Sequence, residues 1–576
     1  MTARTSVRFT LISVLATLAG CEIENEQDPQ TAAEPYDVVE ATIPELQAAM
    51  SEGRLTAREL VQQYLTRIAV YENLLNATIA VNPNALAEAE RLDRERAASG
   101  VRGPLHGIPI ALKDNIHTTD MPTTGGALAF EGFVPPYDAT VTEQLRDAGA
   151  IIIAKTVMTE LANWVAGAPY SMPGNYSSLA GYGFNPYDPR RDPRPGIGDG
   201  MPVLSAGGSS SGIGTSANLW VANLGTETSG SILSPSNQNM LVGIKPTLGR
   251  VSRYGIIPIT ADQDTAGPMA RSVTDAAILL GAIESREPDP GDSATGRCDA
   301  PPNGDYTVFL DADSLRGARI GIPRAGYVDP VTPPGVNGSR GGLLAAQAEL
   351  FEGAIAVLEA QGATVIDPAN LPAAIDPDPD RNLFNWGICA AESATRGNDA
   401  HCSIVLKYGM KRDFNAWLES LGDSAPLRSL TELREWNREN ELLGTLKYEQ
   451  SLLDISDEID LDRDRARYEA DRAKDIELNG AQGIDAAIAG NNLDALLFPM
   501  TRGADVAARP GYPSVIVPTG LVPAEAEPAF PEDFEPQPEP FGVSFAGLPC
   551  SEPRLIALAY AFEQATLRRV PPPSAP

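Results

Sequence analysis

The stretch "TVTEQLRDAGAIIIAKT" (Thr140–Thr156) changes character half-way along. Thr140 to Ala148 is helix-like, and Ala150 to Thr156 is a continuous run rich in β-branched residues. A strand with one wet face alternates apolar and polar residues. An unbroken apolar run instead belongs to a sheet covered on both sides. Helix followed by fully buried strand is the signature of the α/β class. Outward from there, "HGIPIALKDN" (His106–Asn115) alternates Ile108, Ile110 and Leu112 with Pro109 and Ala111, a short strand ending at Lys113.

The rest of the chain fits this reading. Ile43 to Gly100 reads as helical, with a capping-box pair, Thr56 and Glu59, ahead of Leu60, Val61, Tyr64, Leu65 and Ile68 on one face. "VGIKPTLGRVSRYGIIPI" (Val242–Ile259) reads as strand, turn and strand, and "SVTDAAILLGAIE" (Ser272–Glu284) as a helix with Ser272 at its N-cap. Residues 412–474 look helical and charged. The C-terminal part reads as "LDALLFPM", "YPSVIVPTG" and the helix "EPRLIALAYAFEQAT". Three segments look like insertions, near 190–205, 285–305 and 523–541, the last two poor in apolar residues and expected on the surface.

At 576 residues and 43% hydrophobic, the chain can bury a large core. Its formal charge of -32 repels polyanions, which excludes a nucleic-acid partner. Residues 1–20 pair a basic start (Arg4, Arg8) with an apolar centre, Phe9 to Leu18, and end "LAGC", which resembles a lipobox with Cys21 as the lipidated residue. Residues 21–38 then read as a flexible acidic tether, and 39–572 as one large domain. Glu22 follows the Cys, so an outer-membrane, periplasm-facing location in a Gram-negative bacterium is expected, with membrane contact only through lipid on Cys21. Cys298, Cys389, Cys402 and Cys550 show no zinc spacing; in an oxidising compartment they allow three full pairings.

Chemistry is concentrated in "SAGGSSSGIGTSANLWVANLGTETSGSILSPSNQN" (Ser205–Asn239). A linker would not carry the apolar run "ANLWVANLG". A phosphate cradle would want a following Lys-Ser/Thr pair, and there is none. Glycines that expose backbone N–H groups also suit an oxyanion hole. A serine nucleophile needs a proton acceptor, yet His106, His117 and His401 form no recognisable triad and no GxSxG elbow is present. A lysine serves if it is neutral, which burial achieves. Lys113 ends an apolar strand, a position where lysines ordinarily snorkel to the surface.

Together, "GPLHGIPIALKDNIHTTDMPTTGG", "GGSSSG", "GTETSGSILSPSNQNMLVGIKPTLGRVSRYGIIPI", "DQDTAGPMARSVTDAA" and "GLPCSEPRLIALAYAFEQAT" resemble the amidase signature family, in particular its bacterial peptide-amidase-like members. The resemblance implies a single large α/β/α domain around a central mixed β-sheet, without metal or organic cofactor. It implies a Ser-cisSer-Lys triad of Ser231, Ser209 and Lys113, with Ser210 in support. Backbone N–H groups of Thr228, Ser229, Gly230 and Ser231 would form the oxyanion hole. The substrate implied is a small-molecule or peptide amide cut through an acyl-enzyme, with ester cleavage as a side activity. Asp264, Arg271 and Trp220 read as fold-supporting residues. Two other readings stand beside this one: a glutamine-hydrolysing amidotransferase component, and a surface lipoprotein that binds ligands on the same scaffold without catalysis.

Overall fold

The computed structural model describes residues 36–167, 171–195, 200–208, 212–390 and 399–576. The expected signal, lipidation site Cys21 and most of the tether lie outside the described residues, as do Ser209 and Ser210.

The strands are β1 (Thr78–Val81), β2 (Pro109–Lys113), β3 (Ile151–Thr156), β4 (Tyr176–Ser177) and β5 (Gly181–Tyr182). Next come β6 (Ala222–Glu227), β7 (Val242–Lys245), β8 (Thr265–Ala270), β9 (Arg319–Gly321) and β10 (Thr364–Ile366). The last five are β11 (Gly387–Ile388), β12 (Cys402–Ser403), β13 (Ala495–Pro499), β14 (Ser514–Val522) and β15 (Glu539–Ala546). Eleven of them form one sheet in the order β1-β3-β2-β6-β8-β7-β14-β15-β13-β9-β10. The sheet is mixed. β2 runs parallel to both β3 and β6, whereas β8 is antiparallel to β6 and β7, and β15 to β14 and β13.

Every residue of β2, β3, β6, β8 and β13 is buried. Because successive side chains point to opposite faces, both faces of the sheet are covered there. Helices Val273–Ile283, Ala345–Ala360 and Glu552–Thr566 pack on the sheet, the last touching both of the others, and the short helix Leu233–Gln238 packs on β7, β14 and β15. The "AIIIAKT" run is β3, preceded by helix Thr140–Asp147. Ser272 caps its helix by accepting from Asp275 N–H, and Thr56 with Glu59 closes a capping box.

Two local expectations are corrected. The stretch from Ile43 to Gly100 is three helices with a strand inserted, because β1 finds its partner in β3 across a separation no local period reveals. The second strand expected in "VSRYGIIPI" is irregular, its pairing reduced to an isolated bridge between Ile116 and Ile256. The cysteines pair Cys298 with Cys550 and Cys389 with Cys402.

A buried charge cluster ties the C-terminal helix to this frame. Arg250 pairs with Glu284 and lies 2.9 Å from Glu552, while Tyr306 donates to Glu284 at 2.7 Å; all are buried. Removing the one cation leaves two enclosed carboxylates without it. Arg250→Ala is expected to cost about 3–5 kcal/mol, read as a lowered midpoint in thermal unfolding; an unchanged midpoint would show the cluster to be energetically idle.

Candidate active site

Lys113 is the last residue of β2, flanked by two parallel strands, so its stem leaves the sheet with no route to water. It is 0% exposed. Its Nζ lies 2.7 Å from Thr226 Oγ1 and 3.1 Å from the Thr226 carbonyl oxygen. Desolvation drives its pKa down to about 7, against the opposing pull of Asp264 and Glu227. The carboxylate next in sequence is not its partner. Asp114 sits 3.4 Å from Lys155 Nζ and accepts from the Thr124 N–H at 3.0 Å. Asn115 donates to Thr226 Oγ1 at 3.1 Å, which fixes the hydroxyl that Lys113 touches.

From Thr226 the chain leaves β6 into the turn that carries Ser231. Gly230 has φ +87°, where a Cβ would meet only Ala504 at 3.6 Å, so the left-handed backbone rather than space selects glycine. The Thr228 carbonyl accepts from Gln263 Nε2 at 3.1 Å, and the Gly230 carbonyl from Ser234 N–H at 2.7 Å. In a trans peptide the following N–H points the opposite way. The N–H groups of Ser229 and Ser231 are thereby turned away from Gln263 and from helix Leu233–Gln238. Buried Glu227 anchors the far side of the turn, accepting from the N–H groups of Ile232 and Leu233 at 2.7 and 3.0 Å. Ser231 itself is half-buried. Ser229 Oγ donates to Asp505 at 3.2 Å, away from any role as a hole donor by its side chain.

The segment that leads to Ser209 is held against the same helix. A Cβ on Gly207 would lie 2.3 Å from Pro235 Cα, and Gly208 N–H reaches Ser234 Oγ at 3.4 Å. Lys113 and the Ser231 turn are thus joined by one strand, β6.

Beside Thr226 and Thr228 opens a cavity of about 350 Å³, also lined by Asn115, Tyr254, Asp264 and Trp417. The insertion near 285–305 is not the surface excursion expected: Gly291 and Asp292 line this cavity, and Arg253 grips Asp292 with Nε at 2.7 Å. Asp264 supports the fold, as read from the sequence, by accepting from the N–H groups of Ile259 and Thr260. It also reaches the site, accepting from Thr228 Oγ1 at 2.5 Å. Arg271 binds the carbonyls of Thr215, Trp220 and Ala41, and Trp220 is a core residue. Thr226, Glu227 and the Arg253–Asp292 pair carry no motif of their own, and nothing in the sequence singles them out.

The family description "Amidase" matches residues 59–407. The chain belongs to the amidase family. It is an amide-hydrolysing enzyme on a large mixed α/β fold. A probable amidase of Arabidopsis thaliana is 35% identical over 93% of this chain and 92% of its own length. The crystal structure of native peptide amidase from Stenotrophomonas maltophilia superposes with a TM-score of 0.77 at 37% identity, covering 93% of this chain and 99% of that one. A glutamyl-tRNA(Gln) amidotransferase subunit from Chloroflexus aurantiacus is 40% identical, but over 51% of this chain and 55% of its own length.

Burying an amine in this way destabilises the fold at neutral pH. Above about 10.5, the ordinary lysine value, folded and unfolded chains are both neutral and the cost vanishes; below about 7 both are protonated and it is complete. At pH 8 it amounts to roughly 3 kcal/mol, offset in part by two hydrogen bonds to Thr226. Lys113→Met is therefore expected to be inactive yet to melt higher than the natural protein at pH 7–8, with the gap closing toward pH 10. A lower melting temperature at all pH values would contradict a neutral, desolvated amine.

Proposed function

We propose that the enzyme hydrolyses a carboxylic or peptide C-terminal amide to the acid plus ammonia or an amine, through an acyl-enzyme on Ser231, with Ser209 and Lys113 as relay and base. The supporting observation is the wholly buried Lys113 amine, held by Thr226 on the strand that runs into the Ser231 turn. Neutral Lys113 takes the Ser209 proton as Ser209 takes that of Ser231, and Ser231 Oγ attacks the amide carbonyl. The oxyanion is met by N–H groups of the 228–231 turn, those of Ser229 and Ser231 already being turned outward from the helix. Reversal of the relay protonates the leaving nitrogen, and water then releases the acid. Ser210 supports the relay. Similarity along almost the whole peptide amidase chain favours this reading over a glutamine-hydrolysing component of an amidotransferase.

The same proposal places the enzyme outside the cytoplasm, anchored by lipid on Cys21. Two disulfides among the described residues support an oxidising compartment.

Ser231→Ala is expected to lower kcat at least about 10³-fold on peptide amides and esters, and to abolish labelling by a fluorophosphonate probe; full turnover by this variant rejects the assignment. For the natural protein, kcat/KM on an unionisable amide should fall tenfold per pH unit below about 7, where Lys113 becomes charged, and stay level above it. A flat profile from pH 5 to 9 removes lysine as the base.

A further inference from the structure

The 350 Å³ cavity beside Thr226 and Thr228 is at the lower end of the size of small-molecule sites. What it offers a ligand is decided by which of its polar groups are already engaged. Arg253 is committed to Asp292 by two guanidinium nitrogens and donates to the Ala261 carbonyl. Asp264 accepts from Thr228, Ile259 and Thr260. Asp413 accepts from Ala261 N–H at 2.7 Å and from Arg412 Nη2 at 2.8 Å. Each lining charge is paired within the protein.

The aromatic wall is engaged in the same way. Trp417 Nε1 donates to His117 Nε2 at 3.0 Å, and His117, with its pKa driven by burial down to about 3, stays neutral and accepts. Tyr137 OH and Ser420 Oγ are 3.2 Å apart, and the Tyr137 ring stacks on Tyr254 at 5.0 Å and 16°. The faces left toward the cavity are ring and aliphatic surface, from Tyr254, Ile257, Ile259 and Trp417, with small Ala162 and Ala416 beside them.

We infer that this cavity is the subsite for an aromatic or large apolar side chain of the amide substrate, next to the carbonyl that Ser231 attacks, and that it turns away charged side chains. This deepens the proposed function and rests on the catalytic turn lying where Thr226 and Thr228 border the cavity. A charged side chain would lose its water and find no free counter-charge, whereas an aryl group buries its surface against rings of matching size.

The test uses N-acetyl amides of Phe, Ala, Asp and Lys with the full chain. N-acetylphenylalaninamide is expected to exceed the alanine compound about 30-fold or more in kcat/KM, with the Asp and Lys compounds at or below alanine. Ala416→Trp, which fills the open side of the cavity, should collapse the Phe/Ala ratio at least tenfold; Ala162→Leu serves as the second filling variant. Calorimetric binding of N-acetylphenylalaninamide to the Ser231→Ala protein gives a readout independent of turnover, expected to weaken at least tenfold when Ala416→Trp is added. Equal rates for Phe and Ala compounds, or a ratio and an affinity untouched by both filling variants, overturn the subsite. Binding that responds to Ala416→Trp in a protein that turns over none of the amides supports the subsite and removes the catalytic reading instead.

Discussion

The site depends on an amine that is kept from every carboxylate around it. A buried lysine beside a free acid would share a proton with it and stay charged. Here each nearby acid is occupied elsewhere. Asp114 serves Lys155 and the Thr124 N–H. Glu227 Oε2 accepts from two backbone N–H groups at the start of helix Leu233–Gln238, and both oxygens of Asp264 are taken by Thr228, Ile259 and Thr260. The same commitments shape the turn: Glu227 fixes its exit, and Asp264 holds Thr228 at its entrance. One set of hydrogen bonds keeps Lys113 desolvated without a partner acid and orients the backbone that carries Ser231.

Much of this frame is legible in the sequence because it rests on local rules. A β-branched run with no polar break can only be an interior strand, and β3 is that. Capping residues mark helices at Thr56 and Ser272 where the structure has them. Lys113 is visible as the end of a strand, but whether it is wet or dry depends on β6, more than a hundred residues away. The features that local rules miss are of that kind. β1 exists by pairing with β3, and Arg253 meets Asp292 across 39 residues. The Cys298–Cys550 bridge spans 252. Composition also misleads in the 285–305 insertion, where scarcity of apolar residues signals exposure although polar pairing, with Arg253, Ser252 and Thr140, fastens it over the cavity.

The other two insertions show how such segments become ordered without a core of their own. Asp188-Pro189-Arg190 and Asp192-Pro193-Arg194 repeat one device. Each Asp holds the Arg two residues on, with closest contacts of 2.7 and 2.6 Å. Each guanidinium then lies over a phenyl ring of the 523–541 insertion, Arg190 over Phe534 at 4.2 Å and Arg194 over Phe530 at 4.7 Å, and donates to a carbonyl there, that of Glu535 or Pro528. A single stack of this kind is worth about 0.5–1 kcal/mol, too little to hold a loop against its conformational entropy. Two stacks, each with a carboxylate clamp and a carbonyl acceptor, act on the same short segment and fix its orientation as well as its place. That segment pairs onward, Val203 N–H to the Arg190 carbonyl, and then runs as Ser205–Gly208 against the helix after Ser231. The insertions are therefore continuous, through hydrogen bonds and close packing, with the chain entering the catalytic serines, and a loop pair built from charge in place of apolar area is what an acidic chain with a deficit of lysine and arginine can form only by placing each arginine deliberately.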